Sequence, residues 1–305
     1  MAERPPKTPD TEEGIMGLTE VEPSPVEETP AGFKDDYFPP MQQPTGRSTL
    51  GLGNHGPAYY LSRIQRYSSY AFTVFASFHV ANTSIIPLIT QSVSESNRYL
   101  LLTRPFYQST LAEPLLVGIP LIAHVSSGIA LRLYRRRQAL RRYGAETQRD
   151  RKTIPWPTLS GTSALGYALV PLAGFHAWTT RGLPLYMHGD NSMISLSYIS
   201  HGFALHPFAS FAGFTALVAV GTWHATWGWA RWLGLAATQV GAIDLKRHLV
   251  RKKRWYSINA ISAIVTGLWL AGGLGVVGRE RKTTGWIGRE FDELYNYVPL
   301  VGRWG

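Results

Sequence analysis

The sequence predicts an all-α integral membrane protein: a bundle of five transmembrane helices behind a disordered N-terminal tail. Three observations carry that expectation. Charges are missing from five long runs, aromatic residues crowd the ends of those runs, and basic residues collect in alternate connections between them. The averages hide this pattern, since the 305 residues carry a net charge of +10 with only 16% charged residues. Residues 1–66 hold six Lys/Arg against ten Asp/Glu, so the remainder carries +14. The chain has no cysteine, which excludes disulfides, thiolate zinc, iron–sulfur ligation and a cysteine nucleophile.

Residues 1–57 are rich in proline and acid and lack an apolar period, so they cannot bury a core and read as a disordered cytosolic tail. The tail has neither the basic start and apolar run of a signal peptide nor the arginine-rich, acid-poor composition of a mitochondrial presequence. Within it, Leu18 and Val21 are followed by Pro23 and Pro25, which bracket one residue. A strand stiffened in this way loses little entropy on docking and offers alternate side chains to pockets.

The membrane domain follows over residues 58–278, with spans at about 67–90, 114–131, 158–180, 207–230 and 255–278, and 279–305 as a short C-terminal tail. Each span approaches the roughly 20 apolar residues needed to cross hydrocarbon. The second is the shortest and carries Pro120. A soluble bundle would show a charged stripe at helical spacing, and these runs show none. In the fifth, Ala263, Gly267, Ala271 and Gly275 recur every four residues, a pattern that lets another helix approach closely.

With five spans, the N-terminus shares one side with loops 132–152 and 231–254. That side holds 22 Lys/Arg against 8 on the other, which orients the N-terminus to the cytosol. The runs Arg132–Arg142 and Arg251–Arg254 sit at helix ends, where contact with anionic lipid explains them better than nucleic-acid binding.

Of nine histidines, His79, His124, His176 and His224 fall one in each of the first four spans. An ionisable side chain at membrane depth is costly and marks a functional site by default. Helical bundles also hold haem through imidazoles on facing helices. His124 lies eight residues before Arg132 and His224 seven before Arg231, which matches their depth. His79 and His176 match poorly, unless the first helix ends near Pro87 or the third runs past Arg181. Two readings stay open: axial ligation of haem b, or imidazoles bonded to neighbouring carbonyls and hydroxyls. His188, His201 and His206 lie near Asp190 at spacings that fit no zinc motif, and residues 181–206 read as an interfacial loop. No metal beyond a haem iron is expected. No nucleophile, carboxylate pair or nucleotide fingerprint occurs in a suitable context, so the chain does not read as an enzyme.

The tail element, the layout of five spans with two basic loops, and the phrases Phe78-His79-Val80-Ala81-Asn82 and His124-Val125-Ser126-Ser127-Gly128-Ile129 resemble the fungal mitochondrial outer-membrane adaptor family of the Mcp type. The resemblance covers about residues 58–278 and the tail element. It implies a multi-pass protein of the mitochondrial outer membrane that recruits a bridge-like lipid-transfer protein of the vacuolar-protein-sorting class. It further implies that Leu18, Val21, Pro23 and Pro25 make that contact, in support of lipid homeostasis at membrane contact sites. The bundle is also similar to the cytochrome b anchors of succinate dehydrogenase and fumarate reductase, whose five-span, two-haem form places one His on each of the first four helices. Here Ala130-Leu131-Arg132 stands where those anchors carry an Arg-His pair, a departure that speaks against quinone chemistry. The alternative function on this likeness is a b-type membrane cytochrome.

Overall fold

A computed structural model describes residues 55–241 and 246–299. Leu18, Val21, Pro23 and Pro25 lie outside the described residues. The account below concerns the compact unit Gly56–Gly305.

Every regular element among the described residues is helical. The first, α1, runs Pro57–Val80 and continues through a π-helical turn, Ala81–Ile85, into α2, Ile86–Thr90. The connection holds α3, Val93–Thr103, and α4, Pro105–Gln108. A second π turn, Pro114–Gly118, opens α5, Ile119–Arg142. After the short α6, Gln148–Thr153, comes α7, Gly161–Ala177. A third π turn, Trp178–Gly182, carries α7 into α8, Leu183–His188. Then follow α9, Leu196–Leu205, α10, Pro207–Trp232, α11, Arg247–Gly273, and α12, Gly285–Asn296.

Local chemistry sets these boundaries. The Ser92 hydroxyl accepts from Glu95 N (3.3 Å) to cap α3, and Thr147 and Asp150 form a reciprocal capping box on α6. Gly189 and Gly234, at φ +75°, end α8 and α10 in the left-handed conformation that a side chain disfavours. Each π turn is followed two residues later by a proline: Pro87 after Ile85, Pro120 after Gly118, and Pro184 after Gly182. Proline lacks the N–H for the i−4 carbonyl and its ring crowds that carbonyl. A wider turn just upstream lets the helix continue without that bond.

Four helical stretches are long and apolar enough to cross a membrane: Pro57–Thr90, Pro114–Arg142, Pro207–Gln239 and Arg247–Arg279. Only 11–28% of their most apolar windows is buried within the protein. Ile89, Leu102, Ile122 and Phe208 are all more than two-thirds exposed. Side chains of this kind turned outward are satisfied by hydrocarbon, not by water. The expected third span is helical too, over Gly161–Ala177, but it does not join these four.

The helices pack as two hairpin-like pairs, α5 along α1 and α10 along α7, while α11 covers α10 and the π turn of the first span. At that last contact the Ser84 hydroxyl donates to Trp269 O (2.8 Å), and a Cβ on Gly272 would lie 2.0 Å from Ser84 O. Buried Ser262 and Thr226 share a hydroxyl hydrogen bond, and Trp223 Nε1 donates to Asn259 Oδ1 (3.0 Å). The small-residue stripe Ala263–Gly267–Ala271–Gly275 is exposed. The packed face runs through Ile258, Ser262, Thr266, Gly272 and Gly273, because hydroxyls that bond across helices hold it there.

Two readings of loops and tails are corrected. Residues 181–206 are mostly helical, and α12 occupies the region read as a plain C-terminal tail. Phe291, Leu294 and Val298 bury against Leu183, Ile194 and Tyr198 in a compact cluster beside the bundle. His201, wholly buried, contacts Asp292 Oδ1 through Nε2 (2.9 Å), and Lys282 reaches the same oxygen (2.8 Å). Partial burial raises the Asp292 carboxyl, but the bonds from Lys282 and His201 outweigh it and hold it below the usual carboxylate range.

The packing face of α11 separates two glycines of equal helix propensity. Gly272→Val should lower the thermal midpoint in detergent markedly, because Ser84 O leaves no room, with a cost of at least the ~1–3 kcal/mol of ordinary overpacking. Gly267→Val, where an added Cβ meets nothing within 4 Å, should leave it near the parent value. Equal losses would contradict the assigned face.

Candidate functional site

The two helix pairs face each other across a cavity of about 1490 Å³, and all four membrane histidines line it. They meet in two pairs that reach from one hairpin to the other. His79 at the end of α1 meets His176 at the end of α7, with ring centroids 5.8 Å apart. His124 on α5 meets His224 on α10 at 6.0 Å. The first pairing is the one that depth counting from the sequence made doubtful. It forms because the third helix runs on past Arg181 through its π turn to His188.

The backbone around His79 and His176 is built alike. Each stands two residues before the start of a π turn. The hydroxyl of the threonine four residues on, Thr83 or Thr180, donates to the histidine's own carbonyl at 2.7 Å in both cases. Widened turns leave carbonyls without helical donors, and these hydroxyls supply them. Phe75 stacks on the His79 ring at 5.3 Å.

The second pair is held by its rings. His124 Nδ1 lies 3.0 Å from Gln65 O on α1, and His224 Nδ1 lies 2.9 Å from Thr162 O on α7. A carbonyl only accepts, so Nδ1 donates, and a neutral ring that donates there presents its Nε2 lone pair. This is the arrangement by which metal-bound imidazoles are oriented from behind. Gly166 makes room for it, since a Cβ there would lie 2.8 Å from His224 Cε1.

The ends of the cavity differ in charge. At one end Arg181 Nε donates to Glu113 Oε1 (2.7 Å), its other nitrogens reach Glu113 Oε2 and Asn191 Oδ1, and Arg104 donates to Asn191 O (2.5 Å). At the other end stand Arg132, Arg135 and Arg231. Their neighbour Arg136 turns inward, donating to Ile154 O (2.8 Å), Pro155 O (2.9 Å) and Arg151 O (2.5 Å), so it is a structural tie rather than a lipid contact.

Among the described residues no group of three or more His, Cys, Asp or Glu gathers to hold a metal ion, and His188 and His206 do not join His201 in such a group. Sequence reasoning missed the His201–Asp292 contact. The helical recurrence of Phe291, Leu294 and Val298 was the signal that a helix there would bring Asp292 to the bundle.

Apolar helices around a histidine-lined interior define a multi-pass helical membrane protein. Residues 171–282 match the family model described as MDM10-complementing protein 1, transmembrane domain, which bears out the Mcp-type resemblance. That stretch contains His176, His201 and His224. No curated protein and no solved structure matches the chain.

Gly166→Val should destabilise the protein in detergent by the ~1–3 kcal/mol typical of overpacking. Gly174→Val, on the same helix where an added Cβ meets nothing within 4 Å, should be close to neutral. Matching thermal midpoints for the two variants would contradict the close seat of His224 against α7.

Proposed function

We propose that this chain is a five-span adaptor of the mitochondrial outer membrane, with a cytosolic N-terminus, whose bundle also holds b-type haem. The family match over residues 171–282 carries the first part, since it suggests a mitochondrial membrane protein. On this reading α7 with its π turn is the remaining span, third in chain order, packed along α10 on one side. The tail element Leu18, Val21, Pro23 and Pro25 recruits a bridge-like lipid-transfer protein of the vacuolar-protein-sorting class, and the bundle anchors that protein for lipid homeostasis at contact sites. The basic runs beside the spans meet anionic membrane lipid, not nucleic acid. No residue is assigned a catalytic role.

The second part rests on the two histidine pairs. An iron shared by two imidazoles would set their centroids roughly 6.3–6.5 Å apart, from two metal–nitrogen bonds of about 2.0–2.1 Å plus the distance from each nitrogen to its ring centre. The observed 5.8 and 6.0 Å are shorter than this by roughly half an ångström, a gap that a small outward shift of the rings closes. The largely apolar cavity between the hairpins suits a flat hydrophobic cofactor, with His124 and His224 at one level and His79 and His176 at the other. When bound, haem would supply a one-electron redox centre at each pair. The chain's own part is to fix the imidazoles through Gln65 O and Thr162 O and to exclude water with the apolar walls.

The two parts are tested separately. Changing Pro23 and Pro25 to Ala should abolish recruitment of the lipid-transfer protein to mitochondria while leaving the membrane domain inserted; undiminished recruitment would refute the adaptor reading. The detergent-purified full chain supplemented with haem should show a Soret band, and His124→Ala with His224→Ala should remove about half of it. A parent chain without Soret absorption would refute the haem reading and leave the adaptor reading intact.

A further inference from the structure

The arginines at one mouth of the cavity have no acidic partner among the described residues. Arg132, Arg135 and Arg231 all line it, yet none is paired with a carboxylate of the described residues. Arg132 reaches only Pro157 O at 3.4 Å and lies over the Trp156 ring. The opposite mouth differs, because Arg181 is neutralised by Glu113 and Arg104 is spent on the carbonyls of Asn191 and Ser192. Arg135 and Arg231 are exposed at the rim of a largely apolar cavity, a placement that suits an amphiphile with an anionic head.

Helix geometry says which two arginines bear on the histidines. Arg231 follows His224 by seven residues and Arg135 follows His124 by eleven, spacings that return to the same face of an α-helix. Both helices run from the histidine toward the arginine, and helical side chains lean toward the N-terminus. The two guanidinium groups therefore lean back toward the level of the histidine pair. At the other pair, Arg181 follows His176 by five residues, on a different face, and is already engaged.

We infer that Arg135 and Arg231 bind the two carboxylates of a porphyrin seated between His124 and His224, so that this porphyrin alone is anchored by its acids to the basic face. The inference rests on the haem reading above. A guanidinium fork matches a carboxylate in two parallel hydrogen bonds, and in a partly apolar site that pairing is strong. An anionic lipid headgroup offers similar chemistry at the same mouth, and the test separates the two.

The full chain in a neutral detergent is titrated with haem b and, separately, with haem dimethyl ester, which keeps the ring and iron but has lost both acids. For the parent, one of two sites should bind haem at least about tenfold more tightly than the ester. Arg135→Gln with Arg231→Gln should erase that preference, weakening haem and leaving the ester unchanged. The His79–His176 site should fill as in the parent and so report that the variant is folded. Unchanged haem affinity in the variant, or equal weakening for haem and ester, overturns the inference while haem binding stands. Equal weakening relieved when anionic phospholipid is withheld assigns the arginines to lipid instead. A parent chain that binds no haem removes the underlying reading and this one with it.

Discussion

Polar groups inside hydrocarbon must find partners within the protein, and this demand organises the bundle. An unsatisfied group at that depth costs several kcal/mol. His124 and His224 meet the demand through carbonyls of the opposite helix in each hairpin, Gln65 O and Thr162 O. Those bonds do more than quiet a donor. They bring α5 against α1 and α10 against α7 at the level of the rings, and they turn both imidazole edges toward the cavity. Ser84 on Trp269 O and the Thr226–Ser262 pair apply the same logic where α11 closes on its neighbours. Gly272 and Gly166 follow from it, since each contact needs a backbone near enough to bond.

The prolines shape the other half of the site. Pro87 and Pro184 deprive their helices of a hydrogen bond, and in both the response is a π turn just after a cavity histidine. Thr83 and Thr180 then take up the histidine carbonyls. The repetition on two helices from opposite hairpins brings His79 and His176 within 5.8 Å. The two pairs are thus fixed by different means, one through ring hydrogen bonds and one through backbone geometry. Imidazoles hydrogen-bonded from behind are more basic ligands, so irons held by the two pairs would differ in electronic character.

Much of this was legible in the sequence. Runs without charge marked four helices that can span hydrocarbon, because hydrocarbon tolerates charge so poorly that its absence is a strong signal. The depth of His124 and His224 could be counted from Arg132 and Arg231, and they do meet. The pairing of His79 with His176 was obscured because counting assumed that the third helix ends at its first charge, whereas Arg181 is neutralised by Glu113 and the helix continues. The packed face of α11 could not be read from its small residues, since these mark close packing only where hydroxyls or backbone meet them, as at Ser262 and Gly272 and not at Gly267. The cluster of α9 and α12 was missed because Phe291 and Leu294 sit among Arg289, Glu290, Asp292 and Glu293, which mask their apolar period.

The account turns on whether each histidine pair can share one iron. Electron paramagnetic resonance of the oxidised, haem-loaded full chain reads this most directly. Two low-spin ferric signals, from two irons each with two imidazole ligands, are the predicted result. High-spin ferric haem alone, or no haem signal at all, would contradict it.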